Sequence, residues 1–348
     1  MSFLDRSHHH IKGIQDLPEN AVLNDCLAQK RISKSSLGHF EPLLQRLSLI
    51  HGKFPLEKLK PSILTFVADH GVAKSLYATH DEFSDSHASI LHILSKPNYY
   101  FFQAHEKTLL GHRIVDLGAF QSDENNSTFW LHRGQGLINA RVNSGSANFA
   151  EYPAMTTAEC EEAFAIGQKL VEREIYEGVN FLFLNSFGKG EDISFFALLA
   201  ALKDKSFADL WEGALFKQFD NHAIDDLSRA LRRHPISHDP FTILSFYGSF
   251  ETAALCGAIL KAAEKGVPLI LNSPMAKVAA LISERINTKA IDYCIYSNAG
   301  FFEIERQQFG SDYAIPHFSM GRYKIQEPYY LAGEMQVFQA LLEELAMN

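Results

Sequence analysis

The chain has 348 residues, 46% of them hydrophobic and 21% charged, with a formal net charge of -9. Such a balance supports a large packed core and excludes a disordered chain. The acidic sign argues against a phosphate-backbone binder, so no nucleic-acid partner is expected. Four cysteines, Cys26, Cys160, Cys256 and Cys294, are scattered without a CxxC pair. That usage fits reduced thiols in a cytoplasmic protein, not a disulfide framework or a zinc ribbon. No window approaches ~18 consecutive apolar residues, and the N-terminus lacks an apolar signal core. No membrane partner is expected, and His8 to His10 read as a solvated terminus.

In chain order, Phe40, Leu43, Leu44, Leu47 and Ile50 recur at helical spacing and predict an amphipathic helix over 38–51. Ser62–Ala68 (SILTFVA) reads as a buried strand that delivers Asp69-His70-Gly71 at its carboxyl end. His112–Leu117 repeats the arrangement and ends near Asp116 and Gly118. A long helix is expected over 157–178, capped by Thr156 or Thr157 and stopped by Gly178. Asn180–Leu184 is another buried strand, followed by a loop of sequence NSFGKGED and a helix through FFALLAAL. Residues 250–265 read as a helix rich in alanine and glycine, which lets another backbone approach closely. VPLILN then forms a strand to Asn272, a helix covers 275–285, and AIDYCIY forms a strand ending at Ser297. Leu331, Met335, Phe338, Leu342 and Leu345 mark a C-terminal amphipathic helix.

Alternating strands and helices predict an α/β fold, a mainly parallel sheet flanked by helices. Ligands of open α/β sheets bind at the carboxyl ends of the strands. The candidate site therefore comprises Asp69–Gly71, Asp116–Gly118, Asn185–Glu191, Asn272–Ser273 and Ser297–Gly300. A carboxylate and an imidazole at the end of an apolar strand are costly unless paired or solvated in a site. The bland alternative for Asp69-His70-Gly71 is a strand-end turn. In the loop Ser186–Asp192, glycines and a helix N-terminus favour an anion, and Lys189 adds charge. Glu191 and Asp192 oppose that reading and suit a helix first turn. A GxGxxG fingerprint, a P-loop, HExxH and a GxSxG elbow are all missing, which sets aside a dinucleotide-dependent dehydrogenase.

Several segments together resemble the nicotinate-nucleotide–dimethylbenzimidazole phosphoribosyltransferases. Lys34-Ser35-Ser36-Leu37-Gly38 looks like the family's KPxGSLG segment, and Val67–Val72 (VADHGV) is similar to its AGDHGV strand end. Ile114–Gly118 (IVDLG) resembles VVDVG, and Pro153-Ala154-Met155 resembles the stretch ending in PAM. Gly248-Ser249-Phe250-Glu251, with Ala253-Ala254 and Gly257-Ala258, looks like GGFExAAxxGA. Order and spacing agree from about residue 21 to the C-terminal helix. The family's GEMGIGNTT loop falls on Asn185–Ile193, keeping Gly188 and Gly190 but placing Ser186 where the family has an acid. Its DGF falls on Asn272-Ser273-Pro274, its HxSxE on Ser297–Phe301, and its RLGEG on Tyr323–Glu327.

The resemblance implies a pentosyltransferase that moves ribose phosphate from nicotinate mononucleotide to dimethylbenzimidazole or a related aromatic base, in cobalamin lower-ligand synthesis. It implies no cofactor and no metal, and a homodimer. The substrate-binding residues it implies are Asp69, His70, Gly71, Ser186, Gly188, Gly190, Gly248, Ser249, Asn272 and Gln326. The family's catalytic carboxylate aligns on Gln326, and Glu327 beside it is the implied catalytic base, with Asp69 or Glu334 as other nearby bases. A second reading stays open: an inactive homologue that binds a nucleotide or base, or supports an active paralogue. The expected organisation is one unit over 1–348. Within it, residues 55–310 form a large α/β domain, and 1–54 with 311–348 form a small helical domain.

Overall fold

The structure is a computed structural model. It describes residues 10–14, 21–33, 37, 40–54, 56–76, 86, 111–120, 136–206, 210, 227–228, 231–232, 234, 237–297, 317–318 and 328–346. Gln326 and Glu327 lie outside the described residues, as do Asn298–Phe301; Glu334 is described in its backbone alone.

Among the described residues seven strands form one sheet: β1 (Pro61–Ala68), β2 (Gly111–Gly118), β3 (Leu137–Asn139), β4 (Phe181–Phe187), β5 (Leu269–Leu271), β6 (Cys294–Ser297) and β7 (His317–Phe318). Their order is β3-β2-β1-β4-β5-β6-β7. Every pairing is parallel. This is the expected fold class. All eight residues of β1 are buried, as a parallel strand covered on both faces requires.

The helices among the described residues are α1 (Ala21–Gln29), α2 (Phe40–His51), α3 (Val72–Leu76), α4 (Thr157–Tyr176), α5 (Glu191–Lys203), α6 (Pro240–Tyr247), α7 (Phe250–Glu264), α8 (Pro274–Ile286) and α9 (Pro328–Ala346). Side chains alternate across a strand, and the sheet uses both faces. Leu64, Leu182, Leu184, Leu269 and Leu271 join the core built with α4, α5, α7 and α8. Their neighbours Ile63, Phe181, Phe183, Ile270 and Ile295 join a second core with α1, α2 and α9. Helices α1, α2 and α9 thus cover one face of the sheet, with Phe40 stacked on Phe338 at 5.4 Å between ring centroids. Among the described residues no helix is long and apolar enough to cross a membrane.

Local chemistry sets the ends of these elements. Thr156 and Glu159 form a reciprocal capping box at the start of α4, and Gly178 beyond its end has a φ of +91°. Two expectations need correction. β4 runs on to Phe187, so Asn185 and Ser186 are strand residues and not loop. The first half of AIDYCIY is not strand: Thr288–Tyr293 is a 3-10 helix, and β6 begins only at Cys294. The Asn287 side chain accepts the Lys289 N–H, and this local turn bond overrides the β-rich composition.

Candidate active site

The carboxyl ends of β1, β4 and β5 and the N-terminal ends of α5, α7 and α8 come together. Gly188 makes this possible, because a Cβ there would lie 1.7 Å from the Ala68 carbonyl oxygen at the end of β1. Gly190 takes a φ of +77° and caps α5, with the His70 Cβ only 3.2 Å from where its own Cβ would be. Gly71 is packed as tightly, its absent Cβ 2.5 Å from the Ser146 carbonyl oxygen.

Asp69 is fully buried. Its Oδ1 accepts the Lys189 N–H at 2.7 Å and the Ser86 hydroxyl; its Oδ2 accepts the Phe120 N–H at 2.6 Å. Burial holds its pKa above the usual carboxylate range despite these bonds. Asp69 thus ties three loops together, which is a structural task. Asp116 does the same at β2: its Oδ1 accepts the Gly118 and Ala119 N–H groups, and its Oδ2 lies 2.8 Å from Arg141.

His70 is buried between two helices. Its Nδ1 shares a hydrogen bond of 2.7 Å with the Ser194 hydroxyl on α5. Its Nε2 lies 3.1 Å from Glu251 Oε1 on α7, close enough for an ion pair although not aligned as a hydrogen bond. Burial alone would lower the imidazole pKa, but Glu251 first, and then Glu191 and Asp69, hold it above the usual value. Glu251 is fully buried as well; burial raises its pKa, and His70 and the Thr252 hydroxyl more than reverse that.

Ser186, at the end of β4, is bonded twice. Its hydroxyl donates to Glu191 Oε1 on the first turn of α5, and lies 2.8 Å from the Ser273 hydroxyl. Ser273 in turn caps α8 by accepting the Ala276 N–H. Glu191 is only partly buried by surface area. Burial, the Glu251 charge and the Asp192 charge outweigh the Ser186 bond and His70, and its pKa is pushed up to about 7. Two carboxylates on the first turn of α5 count against the anion reading of that helix end.

Several buried polar atoms have no hydrogen-bond partner among the described residues. Four belong to this cluster: Asn185 Oδ1 and Asn272 Oδ1 at the strand ends, and Ser249 Oγ and Glu251 Oε2 at the start of α7. Ser249 precedes α7 without a side-chain capping bond. Gly248 closes α6 through its N–H to the Leu244 carbonyl.

The sequence-derived residues Asp69, His70, Gly71, Ser186, Gly188, Gly190, Gly248, Ser249 and Asn272 thus all fall on the strand ends or on the helix ends that meet them. Glu191, Ser194, Glu251 and Ser273 belong with them. Glu251 stood in the motif GSFE and Ser273 beside Asn272, but nothing local in the sequence pairs Glu251 with His70. A separate cavity of about 490 Å³ borders the C-terminal end of α5, lined by Asp204, Lys205, Arg232, His234 and Phe246 among others. None of the sequence-derived site residues lines it, so the strand ends and not this cavity are taken as the site.

Residues 16–301 match the family model DBI_PRT, described as phosphoribosyltransferase. The chain belongs to this family. It is 28% identical over 288 residues to the nicotinate-nucleotide–dimethylbenzimidazole phosphoribosyltransferase of Ralstonia nicotianae, covering 80% of this chain and 77% of that one. The enzyme of the same description from Cupriavidus necator is 26% identical over 312 residues, covering 84% and 86%. Among solved structures, CobT from Thermus thermophilus shares the fold, with a TM-score of 0.72, 22% identity, and 93% and 96% of the two chains covered.

Proposed function

We propose that this protein transfers ribose phosphate from nicotinate mononucleotide to dimethylbenzimidazole or a related aromatic base, a step of cobalamin lower-ligand synthesis. The observation that carries the reading is the set of unpartnered buried polar atoms at the strand ends and at the start of α7. Buried polar groups are normally paired, so Asn185, Ser249, Glu251 and Asn272 mark a place built for a ligand, on a chain whose relatives carry this activity.

In the reaction an acceptor ring nitrogen forms a bond to C1′. The C1′–N bond of the pyridinium breaks, and its electron pair stays on the ring nitrogen of the departing nicotinate, which leaves uncharged at that atom. The acceptor's N–H proton then passes to a base. Proximity and orientation supply much of the rate when the partners are held in line. Glu327 remains the proposed base and Gln326 its neighbour in the site. The proposal extends to a cytoplasmic homodimer, which light scattering tests.

Incubation of purified protein with nicotinate mononucleotide and a panel of bases should release nicotinate. Glu327→Gln should lower the rate on the order of 10²–10⁴-fold, the usual worth of a general base, with folding intact. Gln326→Glu should raise the rate. A wild-type protein that releases no nicotinate with any base defeats the reading.

A further inference from the structure

We propose that the Glu191 carboxylate faces the positive charge that grows at C1′ during transfer. This rests on the transfer reading above and adds a group distinct from the base. The described carboxyls of the cluster divide by environment. Both oxygens of Asp69 are occupied by Ser86, Lys189 and Phe120. Glu251 is fully buried and paired with His70. Glu191 alone of the three is not fully buried, and the Ser186 hydroxyl bonds one of its carboxylate oxygens.

Its place suits a cation. With Asp192 beside it on the first turn of α5, this edge of the site repels the donor's phosphate and attracts the donor's cationic centre. A preorganised charge aimed at developing charge is among the larger contributions to catalysis. The Ser186 bond adds a geometric argument. A serine hydroxyl oxygen stands where a glutamate side chain has its Cγ. A carboxylate oxygen within a hydrogen bond of it lies at the reach of a glutamate's own carboxylate from that residue. Glu191 thus returns an acid to the end of β4, where the resembling motif carries one and this chain carries Ser186.

The groups facing Glu191 are His70 from the end of β1, Glu251 from α7 and Asp192 on its own helix. Together with burial they push its pKa up to about 7.

The test is steady-state and single-turnover release of nicotinate by three proteins: wild type, Glu191→Gln, and the double variant Ser186→Glu with Glu191→Gln. Glu191→Gln should lose on the order of 10²-fold in kcat, with KM for the acceptor nearly unchanged. The double variant, with a carboxylate restored from the other residue, should recover most of the loss. The loss should be equal with dimethylbenzimidazole and with 1-methylbenzimidazole, an acceptor that has no N–H proton to give up. Unchanged kcat in Glu191→Gln, or a double variant no faster than the single, would overturn the proposal. A loss confined to the N–H acceptor would make Glu191 a base and overturn it as well. Absence of nicotinate release by wild type would instead remove the transfer reading, and this proposal with it.

Discussion

A carboxyl with a pKa of about 7 costs the folded protein stability wherever it is ionised. The folded-state pKa of Glu191 lies above the unfolded value of 4.5, so between those values the native state binds more protons than the unfolded chain. Stability from this group therefore falls as pH rises from about 4.5 to about 7, and the full cost is present above 7. Glutamine removes the ionisation but keeps the size of the side chain. Glu191→Gln should be more stable than wild type by about 1–3 kcal/mol at pH 8, and the difference should vanish below about pH 4. Urea unfolding at the two pH values measures it. A variant that loses rate while gaining stability is what a functional charge held at a cost produces; a merely structural Glu191 would lose stability at pH 8. The sequence showed Glu191 only as an acid that disfavours phosphate. Ser186 was legible as a site residue, but its pairing with Glu191 was not, because β4 extends three residues past its apolar run, NFLFL. Polar residues at a strand end look like loop until the register to β1, Thr65 opposite Asn185 and Phe66 opposite Ser186, is known.

At the scale of elements, α4 and α7 cross at two glycines. A Cβ on Gly167 would lie 1.9 Å from the Ala254 carbonyl oxygen, and one on Gly257 would lie 2.1 Å from the Phe164 carbonyl oxygen. Each helix thus seats a glycine on the other's backbone, and neither obstacle is a side chain that can turn away. Overpacking typically costs about 1–3 kcal/mol, and a backbone obstacle belongs at the upper end of that range. Gly167→Ala and Gly257→Ala should each lower the melting temperature by several degrees, although alanine is the better helix former by about 1 kcal/mol. The decisive comparison is Gly266→Ala: its absent Cβ meets nothing within 4 Å, so any cost there comes from its φ of +69° and not from packing. A loss at Gly167 no larger than helix propensity allows would dismiss the crossing as a constraint. The small-residue run of α7 made close approach legible in the sequence. Gly167 did not stand out, since it is a lone glycine between Ile166 and Gln168 of α4 and gains its meaning only from the partner helix.

At the scale of the molecule, the question is whether the terminal helices form a unit of their own. The expected boundaries, 1–54 with 311–348 against 55–310, follow from where the βα alternation begins and ends. The packing argues for one cooperative body. Leu43, Leu44 and Leu47 of α2 and Met335, Phe338, Leu342 and Leu345 of α9 share a core with Phe181, Phe183, Ile270 and Ile295. Those sheet residues alternate along the strands with residues of the other core, so the same strands serve both. Losing the terminal helices would expose one face of the sheet, phenylalanines included, to water. We therefore propose that the helical unit is a layer of the α/β body and cannot unfold ahead of it. Phe338 is fully buried, and a large aromatic cut back to alanine costs about 3–5 kcal/mol. Phe338→Ala and Phe183→Ala should each lower stability by a similar amount within that range. Calorimetry should show one transition for wild type and for both variants, with the calorimetric enthalpy equal to the van't Hoff value. A Phe338→Ala protein that melts in two steps, the first leaving the sheet folded, would show the terminal helices to be a separate domain.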